Sequence, residues 1–149
     1  MTIGYFDTSA SAKLYLDEPG RVEVRAHLAA CERAVASEIA FTEVVSAVYR
    51  ASRRNSNPIT TDEAQRLDSR IQADFRERFD LERVTSEVID KAASLVARHP
   101  IRAFDAIHLA TAIAVRDLIG PDVLFLTSDA RLRLAALAEG FTVPDIPSA

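Results

Sequence analysis

The run Val123-Leu124-Phe125-Leu126-Thr127 constrains this chain most, because a strand apolar on both faces has to be covered on both sides. Such a strand belongs inside a sheet clothed by helices. Ile3 to Phe6 is a second short apolar run, and Ala34 to Ser37 and Leu81 to Val84 are shorter strand candidates. Helical patterns fill the intervals. Thr8 and Ser9 are placed to cap a helix to about Asp17, Arg21 to Glu32 reads as a second helix, and Pro19-Gly20 separates them. Phe41, Val44, Val45 and Val48 recur at i, i+3, i+4, i+7, which predicts an amphipathic helix reaching Arg53-Arg54-Asn55. Thr60 and Glu63 have capping-box spacing and open a polar helix to about Phe79. Further helices are expected at Ser86 to Arg98, Phe104 to Leu118 and Asp129 to Glu139, the last stopped by Gly140, with a short strand at Phe141 to Val143. Strands alternating with helices predict one α/β domain over residues 1–149, with a mostly parallel central sheet flanked by helices.

With 149 residues, of which 48% are hydrophobic, the chain has material for one core. Cys31 is the only cysteine, so no internal disulfide can form, and nothing near it has the spacing of a zinc site. No apolar run approaches the ~20 residues that cross a bilayer, and MTIGYFDTSA lacks the basic start of a signal peptide. These features predict a cytoplasmic protein with no membrane partner. A net charge of −4 argues against a surface that attracts nucleic acid everywhere, though not against a local site.

Both strong strand candidates run into acid, at Asp7 and at Asp129. Taken singly, either is explained as a turn or N-cap residue. In parallel α/β sheets, however, ligands bind outside the C-terminal ends of the strands, where both acids would stand. Asp105 opens a helix whose next ten residues, AIHLATAIAV, are apolar apart from His108 and Thr111, so its carboxylate would be fixed at the edge of the core. Glu43 points almost opposite to the Phe41/Val44/Val45/Val48 stripe and shares its face with Ser46, Arg50 and Arg54. Those two cations, roughly 10 and 16 Å along the helix from the acid, have a spacing that could track a phosphate backbone. Several carboxylates in one place repel unless a cation neutralises them, and an all-oxygen donor set suits Mg²⁺ or Mn²⁺ rather than zinc.

The segments YFDTSA, ASEIAFTEV, RAFDAIHLATA and FLTSDARLRLAA resemble, in order, the four acidic motifs of PIN-domain ribonucleases, above all the VapC-type toxins of bacterial toxin–antitoxin pairs. The resemblance implies a PIN-like fold in which Asp7, Glu43, Asp105 and Asp129 line a divalent-metal site, with Asp7 and Asp105 the most direct ligands. It implies that Thr8 or Ser9, and Thr127 or Ser128, help order the metal's water. The implied reaction is attack of water on an RNA phosphodiester, leaving a 5′-phosphate and a 3′-hydroxyl. The implied partners are an RNA substrate, a small antitoxin whose C-terminal segment fills the groove, and a second copy of the chain. The helix from Thr60 to Phe79 is expected to help shape that groove.

Other residues have plainer readings. His108 is expected to be a hydrogen-bonded core histidine rather than a base, and His27 and His99 lack partners at ligand spacing. Tyr49 and the seven Phe residues fall mostly in apolar patterns and read as core rather than as a base-stacking platform. Two alternatives compete with the nuclease. A haloacid-dehalogenase-like phosphatase would need a second Asp where this chain has Ser9, and gives Glu43 no counterpart. A catalytically silent RNA- or antitoxin-binding module would keep the fold without the chemistry, but all four acids are present.

Overall fold

A computed structural model describes residues 2–148. Four strands, β1 (Ile3–Phe6), β2 (Arg33–Ser37), β3 (Phe79–Glu82) and β4 (Val123–Leu126), pair in parallel in the order β3-β2-β1-β4. The helices are α1 (Thr8–Ala12), α2 (Arg21–Ala30), α3 (Glu38–Ser52), α4 (Thr61–Glu77), α5 (Ser86–Arg98), α6 (Ala103–Ile119) and α7 (Ala130–Ala138).

The period of two along β1 sorts the core into two halves. Ile3 and Tyr5 join Leu95, Leu109, Phe125 and Leu132 in a cluster walled by α5, α6 and α7, whereas Phe6 joins Val44, Val48, Ile71, Phe75 and Phe79 against α3 and α4. Tyr5 stands opposite Phe125 in the register, and their rings stack with centroids 5.4 Å apart. On the other face Phe75 stacks on Phe79 at 4.8 Å, and Phe79 meets Phe6 edge-on at 5.7 Å. Each such fully buried aromatic contributes about 1.5–3 kcal/mol through burial alone. Gly4 sits in a tight place, because a Cβ there would lie 2.7 Å from Cys31 Sγ and 3.0 Å from the Phe6 ring, so a side chain would have to displace them.

The chain moves outward from β1 to β2 and β3, then crosses back through α5 and α6 to lay β4 on the other side of β1. β1 is therefore the point at which the winding reverses, and the C-terminal ends of β1 and β4 border the crevice where such sheets hold ligands. Among the described residues no helix is long and apolar enough to cross a membrane.

Several local expectations are corrected. Asp7, not Thr8 or Ser9, is the N-cap of α1, and the helix ends at Ala12 rather than near Asp17. β3 begins at Phe79, two residues ahead of the expected start, because it is an edge strand with only Phe79 buried and so carries little apolar pattern. Phe141 to Val143 supplies one bridge, Thr142 to Leu124, instead of a strand. The buried line of α3 is Ala40, Val44, Val48 and Ala51; Phe41 and Val45 lie half-buried toward α4, where Phe41 meets Phe75 edge-on at 5.9 Å. Thr60 does cap α4, accepting from Glu63 N at 3.1 Å, and Gly140, with φ +91°, follows the end of α7.

Candidate active site

Asp7 is placed by the last pairing of the central strand, its backbone N–H donating to Leu126 O at 3.1 Å. The side chain is 2% exposed and fully engaged. Oδ1 accepts from Ala10 N at 2.8 Å, Ser9 Oγ donates to Oδ1 at 2.8 Å and is 3.0 Å from Oδ2, and Thr127 Oγ1 donates to Oδ2 at 2.5 Å. Burial lifts this carboxyl above its ordinary range, opposed by the His108 charge and by these hydrogen bonds. Ser9 and Thr127, which the resemblance expects to help order the metal's water, both hydrogen-bond the Asp7 carboxylate itself. Ser128 N donates to Ser9 Oγ at 3.0 Å, which ties the end of β4 to the start of α1.

Asp129 caps α7, accepting from Leu132 N at 2.9 Å, while its own N–H donates to Thr127 Oγ1 at 3.1 Å. Asp105 lies in the first turn of α6. Its carboxyl is pushed up from the usual 3.8 to about 6, first by burial and then by the negative charges of Asp129 and Asp7, against which His108 and Arg102 act. Three aspartates from three helix starts thus share one electrostatic environment at the C-terminal ends of β1 and β4. Among the described residues, however, no three His, Cys, Asp or Glu side chains stand ready in a metal-binding cluster. The expected convergence is therefore looser than contact. Asp7 is satisfied by two hydroxyls and an amide.

Glu43 reaches the same region from α3, and with Asp105, Arg102, Ala103 and Phe104 it lines a cleft of about 320 Å³. Thr8 Oγ1 donates to Glu43 Oε1 at 2.6 Å, and His108 Nε2 lies 2.9 Å from the same oxygen. Burial pushes the Glu43 carboxyl up, but the hydrogen bonds from His108 and Thr8 and the charges of His108 and Arg50 outweigh it, leaving Glu43 below its ordinary range. An ionised Glu43 only accepts, so His108 Nε2 carries a proton and donates. The other ring nitrogen, Nδ1, is 2.9 Å from the phenol of Tyr5, whose own ionisation is pushed far up by burial and by the Asp7 charge. His108, 1% exposed, is the buried, hydrogen-bonded histidine its apolar helix predicts, but it is also the strut that aims Glu43. Tyr5, separated from it by 103 positions, could not be paired with it from local sequence.

Arg50 and Arg54 stand elsewhere. They line a separate cavity of about 940 Å³ with Tyr15, Pro19, Ile59 and Leu67, although the Arg50 charge still reaches Glu43. Arg50 Nη1 donates to Ser46 Oγ at 2.9 Å. His99 does have an acidic partner, in space rather than in sequence: its Nε2 is 2.7 Å from Glu139, which Arg98 also binds. That cluster joins α5 to the end of α7.

The PIN domain family model matches residues 4–138. Ribonuclease VapC45 and Ribonuclease VapC49, both of Mycobacterium tuberculosis, are each 34% identical to this chain over 143 residues, covering 96% of it and 95% of the relative. A solved toxin–antitoxin complex from Klebsiella pneumoniae contains a chain that shares this fold with a TM-score of 0.68, at 18% identity, over 98% of this chain and 99% of that one. Matched over most of its length by the family model and along nearly all of it by two relatives, the chain belongs to the PIN-domain family, among its VapC-type members.

Proposed function

We propose that this protein is a divalent-metal-dependent endoribonuclease acting as the toxin of a toxin–antitoxin pair, with Asp7, Glu43, Asp105 and Asp129 as its site. The observation that carries the reading is the grouping of the four carboxylates: Thr127 Oγ1 links Asp7 to the Asp129 backbone, Glu43 and Asp105 line one cleft, and the charges of Asp129 and Asp7 push the Asp105 carboxyl up, a repulsion that a cation would relieve. The donors are carboxylate oxygens, a set that fits Mg²⁺ or Mn²⁺. When bound, such an ion supplies an activated water and a counter-charge for the phosphate.

The chain's own residues have separable tasks. Ser9, Thr127 and the Ala10 amide hold Asp7 in one orientation, so one loop and one strand end together fix the most buried acid. Tyr5 fixes His108, and His108 with Thr8 fixes Glu43. Asp129 is anchored as a helix cap, with one oxygen committed to Leu132 N. Rigid carboxylates of this kind position water and ion without reorganising during the reaction.

An antitoxin is the proposed protein partner, by likeness to the relatives named above, and a homodimer acting in the cytoplasm is part of the same reading. Ser9 in place of a second Asp, bound to the first, leaves the dehalogenase-like phosphatase without its acid/base. The test is cleavage of structured and unstructured RNA with Mg²⁺ or Mn²⁺, with and without chelator, by wild type and Asp7→Asn. Metal-dependent cutting that falls by at least about 100-fold in Asp7→Asn is expected. Activity that survives both chelation and the substitution overturns the proposal, and inactivity under every condition favours the silent binding module.

A further inference from the structure

Phe104 breaks the pattern of every other aromatic residue in the chain. It is 58% exposed, whereas the remaining Phe and Tyr side chains are buried or half-buried. It stands in the first turn of α6 beside Asp105, on the lip of the cleft that Glu43 and Asp105 share. Arg102, one residue before the helix begins, lines the same cleft, is exposed, and forms no ion pair among the described residues. Leaving a phenyl ring in water is costly, and at this position packing does not require it.

From this juxtaposition we infer that Phe104 and Arg102 form a subsite for one unpaired nucleotide of the RNA next to the scissile phosphate, the ring stacking on the base and the guanidinium gripping a phosphate. The inference rests on the ribonuclease reading. A flat exposed ring with a free guanidinium close by matches the two chemistries of a single-stranded nucleotide, a π-face and an anion. The cleft mouth is otherwise acidic, through Glu43 and Asp105, so among the described residues Arg102 is the one positive group lining it. A duplex keeps its bases stacked internally and cannot offer one to the ring. The subsite therefore favours an unpaired nucleotide over a duplex one, and it tolerates base identity, because every base has a face to stack.

The test uses the full chain and a mixed-sequence single-stranded RNA, with the cut position mapped on wild type. Phe104→Ala is expected to raise KM about 10- to 100-fold with kcat little changed, and Phe104→Tyr to restore wild-type behaviour. An abasic nucleotide beside the cut is expected to slow wild type by a similar factor and to have no further effect on Phe104→Ala. RNA binding in chelator, followed by fluorescence anisotropy, is expected to weaken in both Phe104→Ala and Arg102→Ala. Arg102→Ala alone is expected to flatten the salt dependence, by about 0.7 in the log–log slope. Because both side chains are exposed, an unchanged melting temperature verifies the fold.

If wild type cuts RNA and Phe104→Ala cuts equally well, the subsite is overturned while the nuclease stands. If wild type does not cut but loses RNA binding in Phe104→Ala, the nuclease reading fails and the subsite stands. If Phe104→Ala changes only the sedimentation mass, the ring serves contact between protein chains, and the subsite is overturned.

Discussion

Asp105→Asn should make the metal-free protein more stable while destroying its function. An acid with a folded pKa above its unfolded one binds its proton more tightly in the fold, so rising pH favours unfolding between the two values, and the full penalty is present above both. For Asp105 the window runs from 3.8 to about 6. A shift of that size corresponds to about 3 kcal/mol at face value, and about half of that after discounting for solvent at a partly exposed carboxyl. In a domain of this size the remainder is worth a rise of roughly 3–6 °C in melting temperature. Scanning calorimetry in chelator at pH 7.5 should show that gain in Asp105→Asn, and at pH 4.5 the gap should shrink to roughly a third. Saturating Mn²⁺ should then reverse the order, stabilising wild type by mass action and leaving the variant where it was. A variant less stable than wild type at pH 7.5 in chelator, or a gap that ignores pH, would refute the reasoning that the acids frustrate one another.

Two neighbouring struts give further tests. Thr127→Val removes the hydroxyl that donates to Asp7 Oδ2 and accepts from Asp129 N, at nearly constant volume. Urea unfolding should show a loss of about 1.5–3 kcal/mol, and Thr127→Ser should recover most of it. Equal stability of the Val and Ser forms would mean the hydroxyl does not hold Asp7. Tyr5→Phe keeps the ring stacked on Phe125 but leaves His108 Nδ1 without its partner. It should cost about 1–3 kcal/mol and lower kcat on RNA with KM unchanged; a normal kcat would show that His108 aims Glu43 without help.

What local sequence carried, and what it did not, follows from the range of each interaction. β1 and β4 were readable because strands buried on both faces are apolar at successive positions, and their acids stand where parallel sheets open. α3 was readable as a helix, but its true buried line includes Ala40 and Ala51, small residues that barely register as hydrophobic until a neighbour is packed on them. The short length of α1 was hidden for another reason: Asp7, the proposed site acid, is also the cap, whereas local capping preference pointed to the hydroxyls that follow it. The hydroxyl and imidazole struts that join separate elements have partners 35 to 120 positions away, for which no local pattern exists. Phe104 was misread as core because its helix is apolar nearly all round, and only the packed structure shows which side faces outward.

The grip on Asp7 joins residues 120 positions apart, through a strand that pairs only when most of the chain is already in hand. A growing polypeptide that has not yet delivered Thr127 lacks both that hydroxyl and the Asp129 charge, so the full set of hydrogen bonds on Asp7 forms only after β4 has been made. The order of the strands thus makes the grip on Asp7 one of the last features of the fold to form.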